Sequence, residues 1–358
     1  MSTHPSHKSQ AFCQRFNLGV PILLAPMAGV SPPSLSIAIM QAQGMGACGT
    51  LLMQPEAIHR WAADVRAHTP GPFNLNLWIP DPAPQRDAAH EQQWRDFLRS
   101  WGPAVAPDAA DAKPPHFADQ CAAMLDVKPA VISSVMGLYP PAFVQAMKAA
   151  DIAWFANVST VREALAAQAA GADVIVAQGI EAGGHRGCFD AHHAQDQLVG
   201  LFALLPAIVD AVKVPVVATG GIGDARGIAA AFALGASAVQ MGSGFMRCPE
   251  AHLPRAWADA MAQTQPEDTV LTRAFSGRLG RSLSNAYVRA AHSENAPAPA
   301  PYPVQRALTA AMRDDAVKAN DVERMQAWAG QASRLAQAAP ASALVRQLWH
   351  DAQALMPH

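Results

Sequence analysis

The chain has 358 residues, of which 51% are hydrophobic and 15% charged, a globular composition with room for one large α/β domain or two ordinary ones. The net charge is -2, and no run of basic residues is present, which argues against nucleic-acid binding. No apolar stretch approaches the roughly 20 residues that span a bilayer, no signal peptide is evident, and the 5 cysteines are scattered; we therefore expect a cytoplasmic protein with reduced thiols and no membrane contact.

Short, almost continuously apolar runs recur along the chain, each followed by a polar or Gly-rich turn. Continuous apolar character indicates strands buried on both faces, as in a parallel sheet. Ala- and Leu-rich helical segments, such as 161–171 and 224–235, lie between most of them and end at a glycine. The predicted strands are 21–27, 45–50, 73–78, 130–137, 153–159, 173–179, 214–221 and 237–245.

Eight strand–helix units between residues 20 and 262 match the strand number and the usual length of a TIM barrel. We therefore predict an α/β fold of the (β/α)8 type. A doubly wound open sheet is the alternative, but it would require a nucleotide-binding fingerprint early in the chain, which the sequence lacks.

Two regions depart from a minimal barrel. The Pro- and Ala-rich stretch 80–128 separates the third and fourth strands, and we expect it to form an excursion over the barrel mouth. After a Pro/Ala linker at 294–303, further helices are expected. The predicted domains are thus a barrel over 10–262 and a mostly helical extension over 263–358 that contributes to the substrate side.

The segment VIVAQGIEAGGHRG (174–187) carries the first candidate site. Its strand ends near Gln178, and barrel active sites are built at the carboxyl ends of strands, which is where His185 falls. Gly183 and Gly184 permit close approach of a ligand to the backbone. A tight turn with a surface histidine is the structural alternative, but the strand-end context favours a catalytic histidine.

Two Gly-rich turns follow the seventh and eighth strands, at the positions where barrels often bind phosphate. The first leads into a helix for which Asp224 is a plausible N-cap, so that free N–H groups and the helix dipole would attract an anion. The second lies within SAVQMGSGF (237–245). The pair indicates a phosphorylated ligand.

Two further strand ends offer weaker candidates. APMAGVS (25–31) could lay its backbone against a flat ring at Met27, or Met27 could simply pack in the core. Asn74 and Asn76 lie two residues apart, so both side chains point to one face of the third strand. A flavin or substrate edge could satisfy them, and a structural hydrogen bond is the alternative. The histidines and cysteines have no metal-ligand spacing, and we predict no metal site.

These motifs together resemble the nitronate monooxygenase family over nearly the whole chain. The resemblance rests on APMAGV at the first strand, N-x-N at the third, AQGIEAGGHRG at the sixth, TGGI at the seventh and QMGSGF at the eighth. The late segments SGRLGRSLSNAYV (276–288), PYP (301–303) and WAGQ (328–331) resemble the bacterial branch of the family.

The resemblance implies FMN as the cofactor, His185 as the catalytic residue and Tyr302 on the substrate side. His185 would either deprotonate a neutral nitroalkane or, when protonated, stabilise the anionic substrate. The family reaction is oxidation of an alkyl nitronate by dioxygen to a carbonyl compound and nitrite, with propionate 3-nitronate as a representative small substrate. Ser243 stands where the family more often has threonine, which also offers a hydroxyl to a phosphate. The implied FMN contacts are Met27, Asn76, Gln178, Gly183, Gly184, Gly221, Gln240, Met241, Gly242 and Ser243.

Two other functions remain open from the sequence. An FMN-dependent enoyl-acyl-carrier-protein reductase shares the barrel and an EAGGH-type loop but takes hydride from a nicotinamide cofactor. A non-catalytic flavin- or phosphate-binding module would turn over no electron donor. No pattern in the sequence indicates an oligomeric state.

Overall fold

A computed structural model describes residues 5–356. The main strands are β1 (Ile22–Leu24), β2 (Gly46–Gly49), β3 (Phe73–Trp78), β4 (Val131–Val135), β5 (Ala153–Val158), β6 (Val174–Gln178), β8 (Val216–Thr219) and β9 (Ala238–Met241). A second, three-stranded sheet contains β7 (Gly184–His185), β10 (Thr269–Thr272) and β11 (Gly280–Leu283).

Within the described residues, the eight main strands are all parallel and run in the order β1-β9-β8-β6-β5-β4-β3-β2. A bridge between Leu23 and Met45 joins the two ends, so the sheet closes into a barrel. The predicted TIM barrel is confirmed, and each of the predicted apolar runs contains one barrel strand. Closure excludes the open doubly wound sheet.

Helices surround the barrel and continue into the C-terminal segment. They are α1 (Pro5–Phe16), α2 (Pro33–Gln41), α3 (Pro55–His68), α4 (Ala88–Leu98), α5 (Phe117–Val127), α6 (Pro141–Ala149), α7 (Val161–Ala169), α8 (Leu201–Ala211), α9 (Ala225–Ala233), α10 (Arg255–Gln263), α11 (Ala286–Ala291), α12 (Val304–Leu308), α13 (Ala310–Lys318) and α14 (Ala341–Leu355). Among the described helices, none is long and apolar enough to cross a membrane.

The lower half of the barrel interior is apolar. Val131, Phe155, Val176 and Val217 are among the residues that fill it, and helix α1 packs its phenylalanines against them. The ring of Phe16 lies edge-on to that of Phe155, with the centroids 5.1 Å apart. Among the described residues, this end of the barrel is therefore filled by side chains, and the cavity lies at the carboxyl ends of the strands.

The C-terminal segment both completes the barrel and covers its mouth. Helix α14 packs against α9 and α2, in the position of an eighth barrel helix. Helix α4 of the 80–128 stretch instead shares a hydrophobic cluster with α11 and α12, through Trp94, Tyr287 and Leu308. The division into domains at residue 262 stays a prediction, and a chain cut there would lose the helix that covers the barrel between α9 and α2.

An ion pair joins the 80–128 stretch to the C-terminal segment. The guanidinium of Arg278, which is only 3% exposed, donates to both carboxylate oxygens of Asp81 at 2.8 and 2.5 Å. Removal of the carboxylate would leave a buried cation without its partner. We expect Asp81→Ala to lower the free energy of unfolding by about 3 kcal/mol, measured by chemical denaturation.

The matched control for this variant is Asp96→Ala. Asp96 lies on α4 of the same stretch, and its ion pair with Arg99 is largely exposed. Its loss should change the free energy of unfolding by less than about 0.5 kcal/mol. Equal effects of the two substitutions would contradict a structural role for the buried pair.

Candidate active site

A ring of polar side chains lines the barrel interior above its apolar layer. Several of these polar residues follow an apolar residue of the inner layer by two positions along the same strand. Gln178 follows Val176, and Thr219 follows Val217. Because side chains two residues apart on a strand point to the same face, these polar side chains also point into the barrel. The ring borders a cavity of about 370 Å³ at the carboxyl ends of the strands. Its members are Asn76, Ser133, Asn157, Gln178, Thr219 and Gln240.

The structure brings nearly all the predicted site residues together at this cavity. Tyr302 is the exception, because it does not line the cavity itself. Its ring instead packs against Trp78, a lining residue, with centroids 5.3 Å apart. The predicted residues that line the cavity are Met27, Asn76, Gln178, Gly183, Gly184, His185, Gly221, Gln240, Met241, Gly242 and Ser243.

His185 is held by the second sheet. Its strand β7 pairs antiparallel with β11, which sets His185 opposite Gly280. The imidazole lies between two indole rings, those of Trp78 and Trp328, with centroid distances of 4.6 and 4.8 Å. Its Nε2 atom lies 2.8 Å from Oγ of Ser276. The ring is thus fixed from three sides at the cavity wall.

Burial, followed by the positive charges of Arg306, Arg278 and Arg313, lowers the pKa of His185 from 6.5 to about 3. The imidazole is therefore neutral at physiological pH. A neutral imidazole can accept a proton or a hydrogen bond, whereas it cannot supply a standing positive charge to an anionic ligand.

The side-chain amides at the strand ends form hydrogen bonds with other parts of the protein. Gln178 donates to the carbonyl of His185 at 3.0 Å and accepts from the N–H of Gly187 at 2.7 Å, so it shapes the loop that carries the histidine. Asn76 donates to Oγ of Ser133 at 2.9 Å. Its own side-chain oxygen makes no hydrogen bond with a described residue, which leaves an acceptor for a ligand.

The turns after β8 and β9 lie side by side. A Cβ atom added at Gly244 would stand 3.8 Å from the carbonyl oxygen of Ile222. Gly221 has a φ of +69°, the left-handed region that favours glycine. Within the described chain, the N–H groups of Gly221, Ile222 and Ser243 make no hydrogen bond. Unpaired N–H groups from two adjacent turns form an anion-binding position.

Asp224 is the N-cap of α9, as the sequence indicated. Its Oδ1 accepts from the N–H groups of Arg226 at 3.0 Å and Gly227 at 3.2 Å. These two donors are therefore occupied by the protein itself. The anion position is formed by the turn that precedes the helix rather than by the first turn of the helix.

The WAGQ element crosses the cavity beside these turns. Gly330 donates its N–H to Oγ of Ser243 at 3.0 Å, and Gln331 donates to the carbonyl of Glu181 at 2.9 Å. A Cβ at Gly183 would stand 2.5 Å from the N atom of Gly330. The loop after β6 and the C-terminal segment therefore meet at Gly183 and Gly330 with their backbones in contact, and the turn after β9 joins them through the hydroxyl of Ser243.

One wall of the cavity is cationic, which sequence reasoning missed. Arg306 and Arg313 both line the cavity, and burial lowers the pKa of each, that of Arg313 to about 10. Among the described residues, the guanidinium of Arg306 has no hydrogen bond or ion pair. Arg313 donates to Gln326 at 3.1 Å and to the carbonyl of Arg306 at 2.9 Å. The exposed carboxylate of Asp314 is nearby and offsets this charge in part.

Sequence reasoning also missed Ser276, Trp78 and Trp328, and the ring members Ser133, Asn157 and Thr219. Trp78 continues the inward alternation of Asn74 and Asn76 and could have been found by extending that pattern by two residues. Arg306 lies on α12, four residues after Tyr302, which precedes that helix. No signal in the sequence places Ser276 or Trp328 beside His185, because both contacts depend on how the C-terminal segment folds back.

The fold and this cavity define a barrel enzyme with one histidine-bearing site at the strand ends. The nitronate monooxygenase family model matches residues 10–351. A nitronate monooxygenase from Paraburkholderia phytofirmans is 39% identical, over 92% of this chain and 91% of its own length. A nitroalkane oxidase structure from Streptomyces ansochromogenes has a TM-score of 0.87 and 33% identity, and the match covers 96% of this chain and 98% of that one.

A second solved structure, FabK from Thermotoga maritima, matches less closely. Its TM-score is 0.75 at 26% identity, and the match covers 96% of both chains. The family model and the Paraburkholderia relative both carry the description nitronate monooxygenase. The chain belongs to the nitronate monooxygenase family and is an oxidoreductase, as the resemblance implied.

Proposed function

We propose that the protein oxidises alkyl nitronates, and nitroalkanes after their deprotonation, with FMN as the cofactor and dioxygen as the electron acceptor. The products would be a carbonyl compound and nitrite. The observation that carries this proposal is that one cavity is lined by both His185, whose pKa is lowered by burial, and Arg306, whose guanidinium has no partner among the described residues. Such a site suits a substrate that is anionic or becomes anionic by loss of a proton.

The residues present fit FMN. The adjoining turns at Gly221 and Ser243 offer unpaired N–H groups to a phosphate. The polar ring offers hydrogen-bonding groups to the edge of a flavin ring, and the side-chain nitrogen of Asn157 is buried without a partner among the described residues. Bound FMN would supply a ring that accepts electrons from the substrate and passes them to dioxygen.

The protein's own residues would bind the substrate and handle its proton. Arg306 and Arg313 attract the negative charge of a nitronate. His185 accepts the proton of a neutral nitroalkane, and the negative charge formed in that step offsets the arginines and raises the pKa of the imidazole. Trp78 and Trp328 exclude water around the ring. Tyr302, behind Trp78, would act on the substrate side by setting the position of that indole.

The test is an anaerobic reduction of the purified holoenzyme. We expect the extracted cofactor to be FMN, and we expect propionate 3-nitronate to bleach the visible flavin band within the mixing time of a stopped-flow experiment. Admission of air should restore the band and release nitrite. A flavin band that is unchanged by both propionate 3-nitronate and ethyl nitronate would contradict the proposal.

The same experiment separates the proposal from the reductase alternative. NADH is added anaerobically in a parallel reaction without nitronate. Bleaching by NADH, together with no response to either nitronate, would favour the enoyl reductase. A flavin that no donor reduces would favour a non-catalytic binding module.

Arg306 offers a prediction about both affinity and pH. We expect Arg306→Gln to raise the KM for propionate 3-nitronate about 10-fold or more, because a charge-assisted contact is lost. We also expect the pKa of His185 to rise, because Arg306 is the charge that lowers this pKa most. A folded-state pKa below 6.5 keeps the imidazole neutral toward lower pH. Because His185 acts as a base in its neutral form, a higher pKa of His185 should move the acid limb of kcat/KM for nitroethane to higher pH.

The matched control is Arg289→Gln. Arg289 lies on α11 in the same C-terminal segment, but it is exposed and its ion pair with Glu323 is 3.5 Å long. This variant should keep the KM and the pH profile of the unmodified protein. A KM that is unchanged in Arg306→Gln would remove this arginine from substrate binding.

A further inference from the structure

Ser276 makes the contact that decides which nitrogen of His185 is free. Its side chain is completely buried, and its Oγ lies 2.8 Å from Nε2 of His185. The other ring nitrogen, Nδ1, makes no hydrogen bond with a residue that the structure describes. The two nitrogens of the cavity histidine are therefore not equivalent.

The remaining contacts of Ser276 favour one proton arrangement. Its Oγ lies 3.3 Å from both the carbonyl oxygen and the N–H of Arg278. A hydroxyl has one proton and two lone pairs. If the proton points to the Arg278 carbonyl, the lone pairs can accept from the Arg278 N–H and from a protonated Nε2, so that all three contacts are satisfied.

The opposite tautomer is less well satisfied. It would turn the serine proton toward His185 and away from the Arg278 carbonyl. It would also place a proton on Nδ1, for which no described residue is an acceptor. An unsatisfied donor in a largely buried site costs about 1–3 kcal/mol. This difference is enough to make the Nε2–H form dominant.

The backbone around Ser276 is held firmly enough to maintain this contact. Arg278 is anchored by its ion pair with Asp81, and Arg186 donates its N–H to the carbonyl of Leu279 at 2.8 Å. The pairing of β7 with β11 fixes His185 against the same segment. Serine and histidine are thus parts of one hydrogen-bonded unit.

We propose that Ser276 is a positioning residue that holds His185 as its Nε2–H tautomer and leaves Nδ1 as the atom that accepts the substrate proton. This inference rests on the proposed function. With a neutral nitroalkane, the C–H electron pair moves into the nitro group to form the nitronate, and the proton moves to Nδ1. The imidazolium later releases that proton to solvent. A preformed nitronate has no proton to transfer.

The first test reads the tautomer directly and does not depend on activity. The holoenzyme is labelled with 15N-histidine, and His185 is assigned as the signal lost in His185→Asn. At neutral pH we expect the 15N spectrum to report a protonated Nε2 and an unprotonated Nδ1. A proton on Nδ1, or rapid exchange between both forms, would overturn the proposal. This spectrum is decisive even if a serine variant does not fold.

The second test compares two substrates in Ser276→Ala. We expect kcat/KM for nitroethane to fall by about 10²-fold, because the base is no longer held in one tautomer and orientation. We expect kcat/KM for ethyl nitronate to change by less than about 3-fold, since this substrate needs no base. Ser276→Thr retains the hydroxyl and should restore most of the nitroethane activity.

The control is Ser282→Ala, because Ser282 is also completely buried and donates to a backbone carbonyl, that of Ala327, at 2.9 Å. It should affect both substrates equally. An equal loss on both substrates in Ser276→Ala would mean a structural role and would contradict the inference. If the unmodified protein oxidises neither substrate, the proposed function fails, whereas the 15N spectrum still tests the tautomer.

Discussion

Replacement of His185 by asparagine is expected to lower kcat for nitroethane by about 10²- to 10⁴-fold, the usual contribution of a general base. Asparagine keeps a hydrogen-bonding group near Ser276 and leaves the backbone pairing with Gly280 in place. The imidazole contacts two indoles and a serine, not the glycine turns. The flavin content of the purified variant, measured by absorbance, should therefore stay the same.

The molecule contains a suitable control histidine. His292 on the C-terminal side of α11 places its Nε2 2.9 Å from the hydroxyl of Thr272, and burial lowers its pKa in the same direction as that of His185. It lies outside the cavity lining. His292→Asn should retain full turnover. A His185 variant as active as this control would exclude His185 from proton transfer.

The barrel could be predicted because its signal is local. Each apolar run is long enough to indicate a strand buried on both faces, and the glycines at 171 and 235 end their helices with φ values of +99° and +97°. The predicted polar residues at the strand ends, Asn76, Gln178 and Gln240, could be identified for a related reason. Once a residue is assigned to a parallel strand, its position along that strand gives its distance from the mouth.

The cationic wall and the surroundings of His185 could not be predicted in the same way. Arg306, Ser276 and Trp328 lie on the C-terminal segment, and no periodic pattern relates that segment to the barrel. Their positions depend on long-range contacts, such as the pairing of β7 with β11 and the ion pair between Asp81 and Arg278. The helix that occupies the eighth barrel position is likewise supplied by α14 from far along the chain, rather than by the segment that directly follows β9.

Loss of cofactor is the expected result of Gly183→Ala. The added Cβ would stand 2.5 Å from the N atom of Gly330, 2.7 Å from the carbonyl carbon of Ala329 and 3.0 Å from Oγ of Ser243. Backbone atoms cannot yield as a flexible side chain can, so the WAGQ element must move away from the loop after β6. That movement would break the hydrogen bond between Gly330 and Ser243 and disturb the anion-binding position formed by the two turns. We expect most of the purified variant to lack FMN.

Gly227→Ala provides the matched control for this glycine. Gly227 lies in α9, next to the glycine turn after β8, and an added Cβ there would make ordinary contacts with Ile222 at 3.4 Å and beyond. Alanine inside a helix should raise the free energy of unfolding by about 0.5–1 kcal/mol, and FMN should stay bound. Flavin content and the free energy of unfolding are measured for both variants. If Gly183→Ala retains its full flavin content, contact between the WAGQ element and the loop after β6 is not needed to hold the cofactor. The anion-binding position would then depend only on the turns after β8 and β9.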